Sequence, residues 1–214
     1  MSDARSRAAS KLRTLGHEFV ARDVDDAVLD EVAQRVEGIL ELLHSAPARL
    51  RTRSVDSYEN FVAAIPQFGA GEPRHLFADS IVSGGANPMG IGAYLWRDGD
   101  QAVMEVVLGK AFEGAPERAH GGIVAALVDE TMGLLLTINQ TMAFTARLSI
   151  DYKAPTPILR TITARSWLKR RDGRKMTMRC DVFDGEVVVA SADALFIAVD
   201  PTKFLPPGEG GRPS

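Results

Sequence analysis

One cysteine in 214 residues, Cys180, leaves no intrachain disulfide to build on. Its neighbours alternate through Met176, Met178 and Val182, so it reads as a small apolar residue on a strand, not a reactive thiol. No apolar stretch follows the polar start M-S-D-A-R-S-R, so no secretory signal is expected. No apolar run approaches the roughly 20 residues of a spanning helix, so no membrane span is expected. A formal charge of −3 gives no reason to expect nucleic acid as a partner. The expected setting is the cytoplasm. Catalytic signatures are missing as well: no G-x-S-x-G elbow, no Gly-rich P-loop, no G-x-G-x-x-G between strand and helix. His17, His44, His75 and His120 are scattered, without an H-E-x-x-H or a Cys/His pair, so neither a metal nor a cofactor is expected.

What remains is an ordinary globular composition, 45% hydrophobic and 25% charged, long enough to bury a core without staples. The first 20 or so residues are polar and basic and are expected to be loosely ordered. Val24, Val28, Val32, Val36, Ile39 and Leu43 then recur at helical spacing behind Asp23 as N-cap, and Ala46-Pro47 ends that helix. From about 47 to 90 turn residues dominate, and the segment reads as a long excursion over the surface.

Beyond residue 91 the pattern is regular. Ile91 to Trp96 and Ala102 to Leu108 read as strands joined at Asp98-Gly99. A loop, Phe112 to Pro116, leads to a helix from about Gly122 to Ile138 that is apolar nearly all round and should be buried on most sides. Four strands follow, Ala143 to Lys153, Ile158 to Arg170, Arg174 to Phe183 and Glu186 to Val199. Asp172-Gly173 and Asp184-Gly185 make the last three a meander. The tail from Pro201 is rich in Pro and Gly and is expected to fray. The domain reading is a helical extension and connecting segment over 1–75, a main domain over 76–200 and a flexible tail over 201–214.

The chemistry concentrates in H-G-G-I-V-A-A-L-V-D-E, residues 120–130. Gly121 and Gly122 stand at the helix start, where backbone N–H groups lack intrahelical partners and the helix dipole is positive. That suits an oxyanion, with His120 as a flanking donor. It equally suits a plain tight turn into a packed helix. Asp129 lies nine residues beyond His120, roughly 13 Å along the axis and half a turn away. The two cannot share a reaction centre within one chain, and a joint role requires a second copy. Glu130 is about 100° further round and is expected to form a salt bridge at solvent or an interface. The run from Lys169 to Lys175 is either a solvated hairpin tip or a docking point for substrate phosphates.

The stretch F-E-G-A-P-E-R-A-H-G-G-I-V-A-A-L-V-D-E-T-M-G, with L-S-I-D-Y-K-A-P-T-P, R-R-D-G-R-K-M-T-M-R-C-D-V-F-D-G-E and A-D-A-L-F-I, resembles the hotdog-fold acyl-CoA thioesterases of the PaaI-like and THEM4-like branch. S-G-G-A-N-P-M-G-I-G upstream resembles the start of that domain. The resemblance covers about residues 80 to 200. It implies an α+β hotdog fold, a curled antiparallel sheet wrapped around a central helix, here with an N-terminal helical extension. It implies a homodimer, with a dimer of dimers as a further option, acting on an acyl-CoA. Asp129 would be nucleophile or general base. The Gly121 N–H would polarise the thioester carbonyl and His120 would hold it. Gly122, Gly114, Thr131, Arg170, Arg171, Arg174 and Lys175 are the expected substrate contacts. Gly114 replaces an amide side chain found in some relatives. Gly133 replaces a hydroxyl four residues after the acid, a role that Thr131 or Thr137 could take over. The alternative is a non-catalytic acyl-CoA binder or structural subunit.

Overall fold

The structure, a computed structural model, describes residues 3–49, 73–75 and 78–200. Most of the excursion read between 47 and 90 and the tail from Pro201 lie outside the described residues. The start that reads as loosely ordered is instead a helix, α1 (Asp3–Ala21). Its Ala, Arg, Leu and Lys residues are good helix formers, and it has tertiary anchors. Ala9 is buried, and Arg13 Nη1 donates to the carbonyls of Gly85 and Asn87, at 3.2 and 2.8 Å. The second helix, α2 (Asp26–His44), is capped by Asp25 rather than Asp23. The Asp25 carboxylate accepts the Val28 N–H at 3.0 Å, the three-residue reach of an N-cap. Leu12, Leu15 and Phe19 of α1 face Leu29, Val32 and Val36 of α2 across an apolar groove.

Two strands, β1 (Tyr94–Asp98) and β2 (Gln101–Val107), come next. A 3-10 turn (Lys110–Phe112) and a small hairpin, β3 (Glu113–Ala115) with β4 (Arg118–Ala119), occupy the stretch read as a loop. The central helix α3 (Gly121–Ile138) precedes β5 (Ala143–Tyr152), β6 (Thr161–Asp172), β7 (Lys175–Asp184) and β8 (Val187–Ala198). Six strands form one sheet in the order β1-β2-β6-β7-β8-β5, each pair antiparallel. The three Asp-Gly turns place Gly99, Gly173 and Gly185 at φ of +59°, +55° and +60°, a region that glycine enters without steric cost. Pro155 and Pro157 lie in the connection that carries the chain across the sheet, and β5 pairs with β8 as the edge strand among the described residues.

The sheet curls around α3. Val124, Leu127, Val128, Met132, Leu134 and Leu135 of the helix are buried against Leu95, Met104, Ile162, Met176 and Met178. At about 1.5–3 kcal/mol for each large apolar side chain, this face outweighs the cost of carrying two acids on the same helix. Burial is not all-round, however. Ala125, Ala126, Asp129, Gly133 and Leu136 recur at helical spacing as a half-buried stripe, and Gly122 on the same stripe is exposed. Within one chain the sheet covers only part of the helix.

A candidate active site at the start of the central helix

The turn into α3 is fixed from several sides. The His120 N–H donates to the Phe112 carbonyl at 2.9 Å, and the Ala119 N–H to Thr156 O at 2.8 Å. Across the β3–β4 hairpin, the Glu113 carboxylate accepts the Glu117 N–H and sits 3.2 Å from Lys110 Nζ. The bond from Glu117 is the main reason that this carboxyl lies below its ordinary pKa. Gly114 is a packing requirement, because a Cβ there would stand 2.9 Å from His120 Cα.

His120 is itself the N-cap: its Nδ1 accepts the Gly122 N–H at 3.0 Å. A backbone N–H can only donate, so the ring carries its proton on Nε2 and offers that N–H outward. The Ile123 and Val124 N–H groups both point at His120 O, at 2.9 and 3.3 Å. Of the first four N–H groups of the helix, the Gly121 N–H is left without a partner among the described residues. Tyr152, on β5, donates its hydroxyl to Gly121 O at 2.8 Å. A Cβ on Gly121 would lie 3.3 Å from that hydroxyl, so the glycine also makes room for the tyrosine.

An open groove of about 550 Å³ lies over this turn. Gly114, His120, Gly121 and Tyr152 line it, with Arg118 and Lys153 as its cations. Gly122 adjoins it through the His120 ring. Lys153 and Arg118 thus line the groove where the sequence reading had assigned no charge. The expected cations, Arg170, Arg171, Arg174 and Lys175, sit elsewhere. Arg171 donates to Thr141 beyond the C-terminal end of α3, at 3.3 Å. Arg174 donates to Ala198 O at 2.8 Å, and Arg170 pairs with Asp172 at 3.2 Å. An 18-residue helix, about 27 Å long, separates that tip from His120 within one chain.

Asp129 is half-buried on the less covered stripe, and Thr145 Oγ1 donates to its Oδ1 at 2.8 Å. The register of β5 against β8 slips between Thr145 and Arg147, a bulge that re-aims side chains toward the helix. Glu130 points away from Asp129, as the helix rotation requires. Its described partners are hydroxyls rather than the expected salt-bridge cation: Ser80 Oγ donates to Oε1 at 2.6 Å, and Ser83 Oγ donates to the same oxygen. Thr131 is fully buried and donates to Leu127 O at 2.6 Å, so it faces the core and not the groove. The i−4 carbonyl is the usual partner of a mid-helix threonine. Thr137 is eight residues from Asp129, about 12 Å along the axis. Cys180 is buried, and desolvation, with Asp181 beside it, pushes its thiol up to about 12.

Sequence reasoning missed Thr145, Tyr152, Arg118 and Lys153. Each becomes visible only when β5 and the β3–β4 hairpin are laid over α3. Strand alternation marks Tyr152 as sharing a face with Leu148 and Ile150, but it names no partner.

Residues 117–191 match the family model described as the thioesterase superfamily. Over 99 residues the chain is 37% identical to the acyl-coenzyme A thioesterase THEM4 of Mus musculus, an alignment covering 45% of this chain and 43% of that protein. Its counterpart in Bos taurus is 32% identical over 97 residues, covering 44% and 40%. The chain spans less than half the length of the curated relatives it matches. A crystal structure of a thioesterase superfamily protein superposes with a TM-score of 0.77 at 24% identity, covering 92% of each chain. That likeness carries the fold: a hotdog, with the N-terminal helices added to it.

Proposed function

With a thioesterase-superfamily domain of hotdog fold as the premise, we propose that the chain hydrolyses acyl-CoA thioesters to free acid and CoA. The observation that carries this reading is the leftover Gly121 N–H beside an outward Nε2–H of His120. Two donors at a positive helix end, lining a groove, suit the oxygen of a thioester carbonyl as it becomes an oxyanion.

The base comes from a second copy. Asp129 is about 13 Å and half a turn from His120 on one rigid helix, so it serves the site of a partner. Support for that pairing is the open edge of β5, with Phe144 51% exposed, and the incompletely covered stripe of α3. Thr145 holds Oδ1 of Asp129, and Oδ2 has no partner among the described residues. In this reading the partner's Asp129 takes the proton of the attacking water through Oδ2. Attack by Oδ2 itself is the other route. Single turnover in ¹⁸O-water tests this route: label in the Asp129 carboxylate requires attack by that side chain, since a general base exchanges no oxygen with water. Arg118 and Lys153 flank the groove where the phosphates of CoA would enter. The basic tip at Arg170 to Lys175 reaches the substrate only across the pair.

The test is thiol release over a panel of acyl-CoAs. Asp129→Asn is expected to lose about 10²–10⁴ in kcat, with the oligomeric mass unchanged. A wild-type rate in this variant overturns the mechanism. Thermal stabilisation by CoA esters with no thiol release from the unaltered chain identifies a binder instead.

A further inference from the structure

Resting on the reading of the helix start as the oxyanion site, we propose that His17 of α1 is a positioning residue for His120 and Gly121. The imidazole of His17 sits directly on Gly109, where a Cβ would stand 2.5 Å from its Nδ1. That nitrogen accepts the Ala111 N–H at 3.1 Å. The ring meets Phe112 edge-on, with centroids 5.0 Å apart and planes at 76°. The carbonyl of Phe112 in turn accepts the His120 N–H at 2.9 Å. Two consecutive residues, Ala111 and Phe112, therefore link a bond made by the N-terminal extension to the bond that seats the cap of the central helix.

The link is stiff at its outer end. Arg13, one turn before His17 on the same face of α1, holds the Gly85 and Asn87 carbonyls. Two anchors on one face fix the helix against the domain. The acceptor role of His17 needs Nδ1 without a proton. Burial, then the charge of Arg13, lowers the pKa of the ring, against the opposing charge of Glu18. In the segment on which the ring packs, Lys110 and Glu113 pair with each other. The ring thus remains an acceptor at neutral pH. His17 and Ala111 are 94 positions apart, so no local pattern announces the contact.

The fit of Gly109 to the ring and the direct bond to the Phe112 segment separate this role from general packing. Removing the acceptor leaves the Ala111 N–H without a partner and frees the segment that carries the Phe112 carbonyl. A displacement of the oxyanion donors by a fraction of an ångström is enough to slow turnover.

The experiment compares His17→Ala, His17→Asn and the unaltered chain. The alanine variant is expected to lose about tenfold in kcat, with KM changed less than about twofold. The asparagine variant, whose amide oxygen reaches a similar point, is expected to recover most of that loss. In parallel, long-range ¹H–¹⁵N spectra of the His120 ring are expected to show the Nδ1 acceptor signature weakened in His17→Ala and restored in His17→Asn. Wild-type kcat in the alanine variant, no rescue by asparagine, or unchanged His120 ring shifts each overturn the proposal. The spectra decide even where the unaltered chain turns over no thioester, so failure here is distinct from failure of the thioesterase reading. Where alanine does not fold, His17→Gln carries the test. Reduced kcat with shifted His120 resonances supports the role, and wild-type values of both overturn it.

Discussion

Two inactive variants of this chain should restore each other when mixed. His120→Ala removes the proposed oxyanion donor at the start of α3, and Asp129→Asn removes the proposed base at its middle. On the proposed mechanism, helix geometry keeps these groups about 13 Å and half a turn apart, so each active centre takes its donors from one copy and its base from the other. Random reassembly of equal amounts makes half of the dimers mixed. A mixed dimer has one centre carrying both lesions and one carrying neither. The mixture should therefore reach about a quarter of wild-type turnover, while each variant alone falls by about a hundredfold or more. Co-refolding followed by a chromogenic thiol assay with a saturating acyl-CoA reads this directly. Cys180, buried with its thiol pushed up to about 12, adds no background to such an assay. A mixture no more active than its parents refutes the shared site and with it the assignment of Asp129 to the partner.

Two further outcomes follow from named contacts. Thr145→Val removes the hydroxyl that holds Asp129 Oδ1 at 2.8 Å. At about 1.4 kcal/mol for such a bond, kcat should fall about tenfold with the melting temperature nearly unchanged. An unchanged kcat would free Asp129 from that orienting role. Asp193 titrates below its ordinary value: burial alone would raise it, but hydrogen bonds from Lys169 and Arg179, at 3.1 and 2.8 Å, outweigh that. With its folded pKa depressed, its stabilising contribution is complete above about pH 4 and is lost as pH falls through the folded value. The group is 44% exposed, so solvent keeps the effect within about 1 kcal/mol. Thermal melts of Asp193→Asn should differ from wild type at pH 7 and converge toward pH 3. Equal differences at both pH values would refute the pairing.

The sheet and the central helix were legible because they obey short-range rules. Asp98-Gly99, Asp172-Gly173 and Asp184-Gly185 fix three hairpins through glycines at positive φ. The apolar stretch from Ile123 on to Ile138 is too long for a strand and reads as a core helix. The separation of Asp129 from Glu130 followed from 100° per residue alone. What stayed hidden depends on long-range contact. α1 has few apolar residues, and it is held by Arg13 and His17 reaching segments more than 70 positions away. Nothing near Glu130 in sequence points to Ser80 and Ser83. Thr145 looks like any β-strand threonine until a bulge turns it toward α3. The basic tip drew attention by charge density, but its guanidinium groups are already engaged at the end of α3 opposite His120. Arg118 and Lys153, isolated in sequence, both line the groove.

The two margins of the sheet are treated differently. On β1, Leu95 exchanges both backbone hydrogen bonds with Arg74, at 2.8 Å each, and Tyr94 beside it is stacked on His75. That margin is plugged by the chain itself. On β5 no further strand pairs among the described residues, and the slip between Thr145 and Arg147 interrupts the ladder. A regular strand from another protein would find its hydrogen bonds out of step there. In the proposed pair, growth through β5 about a twofold axis would consume the open margin of both copies at once and leave only plugged ends outside. On the proposed pairing, assembly by sheet extension terminates at two, and the margin that completes the catalytic centre is the same one that a fibre would need.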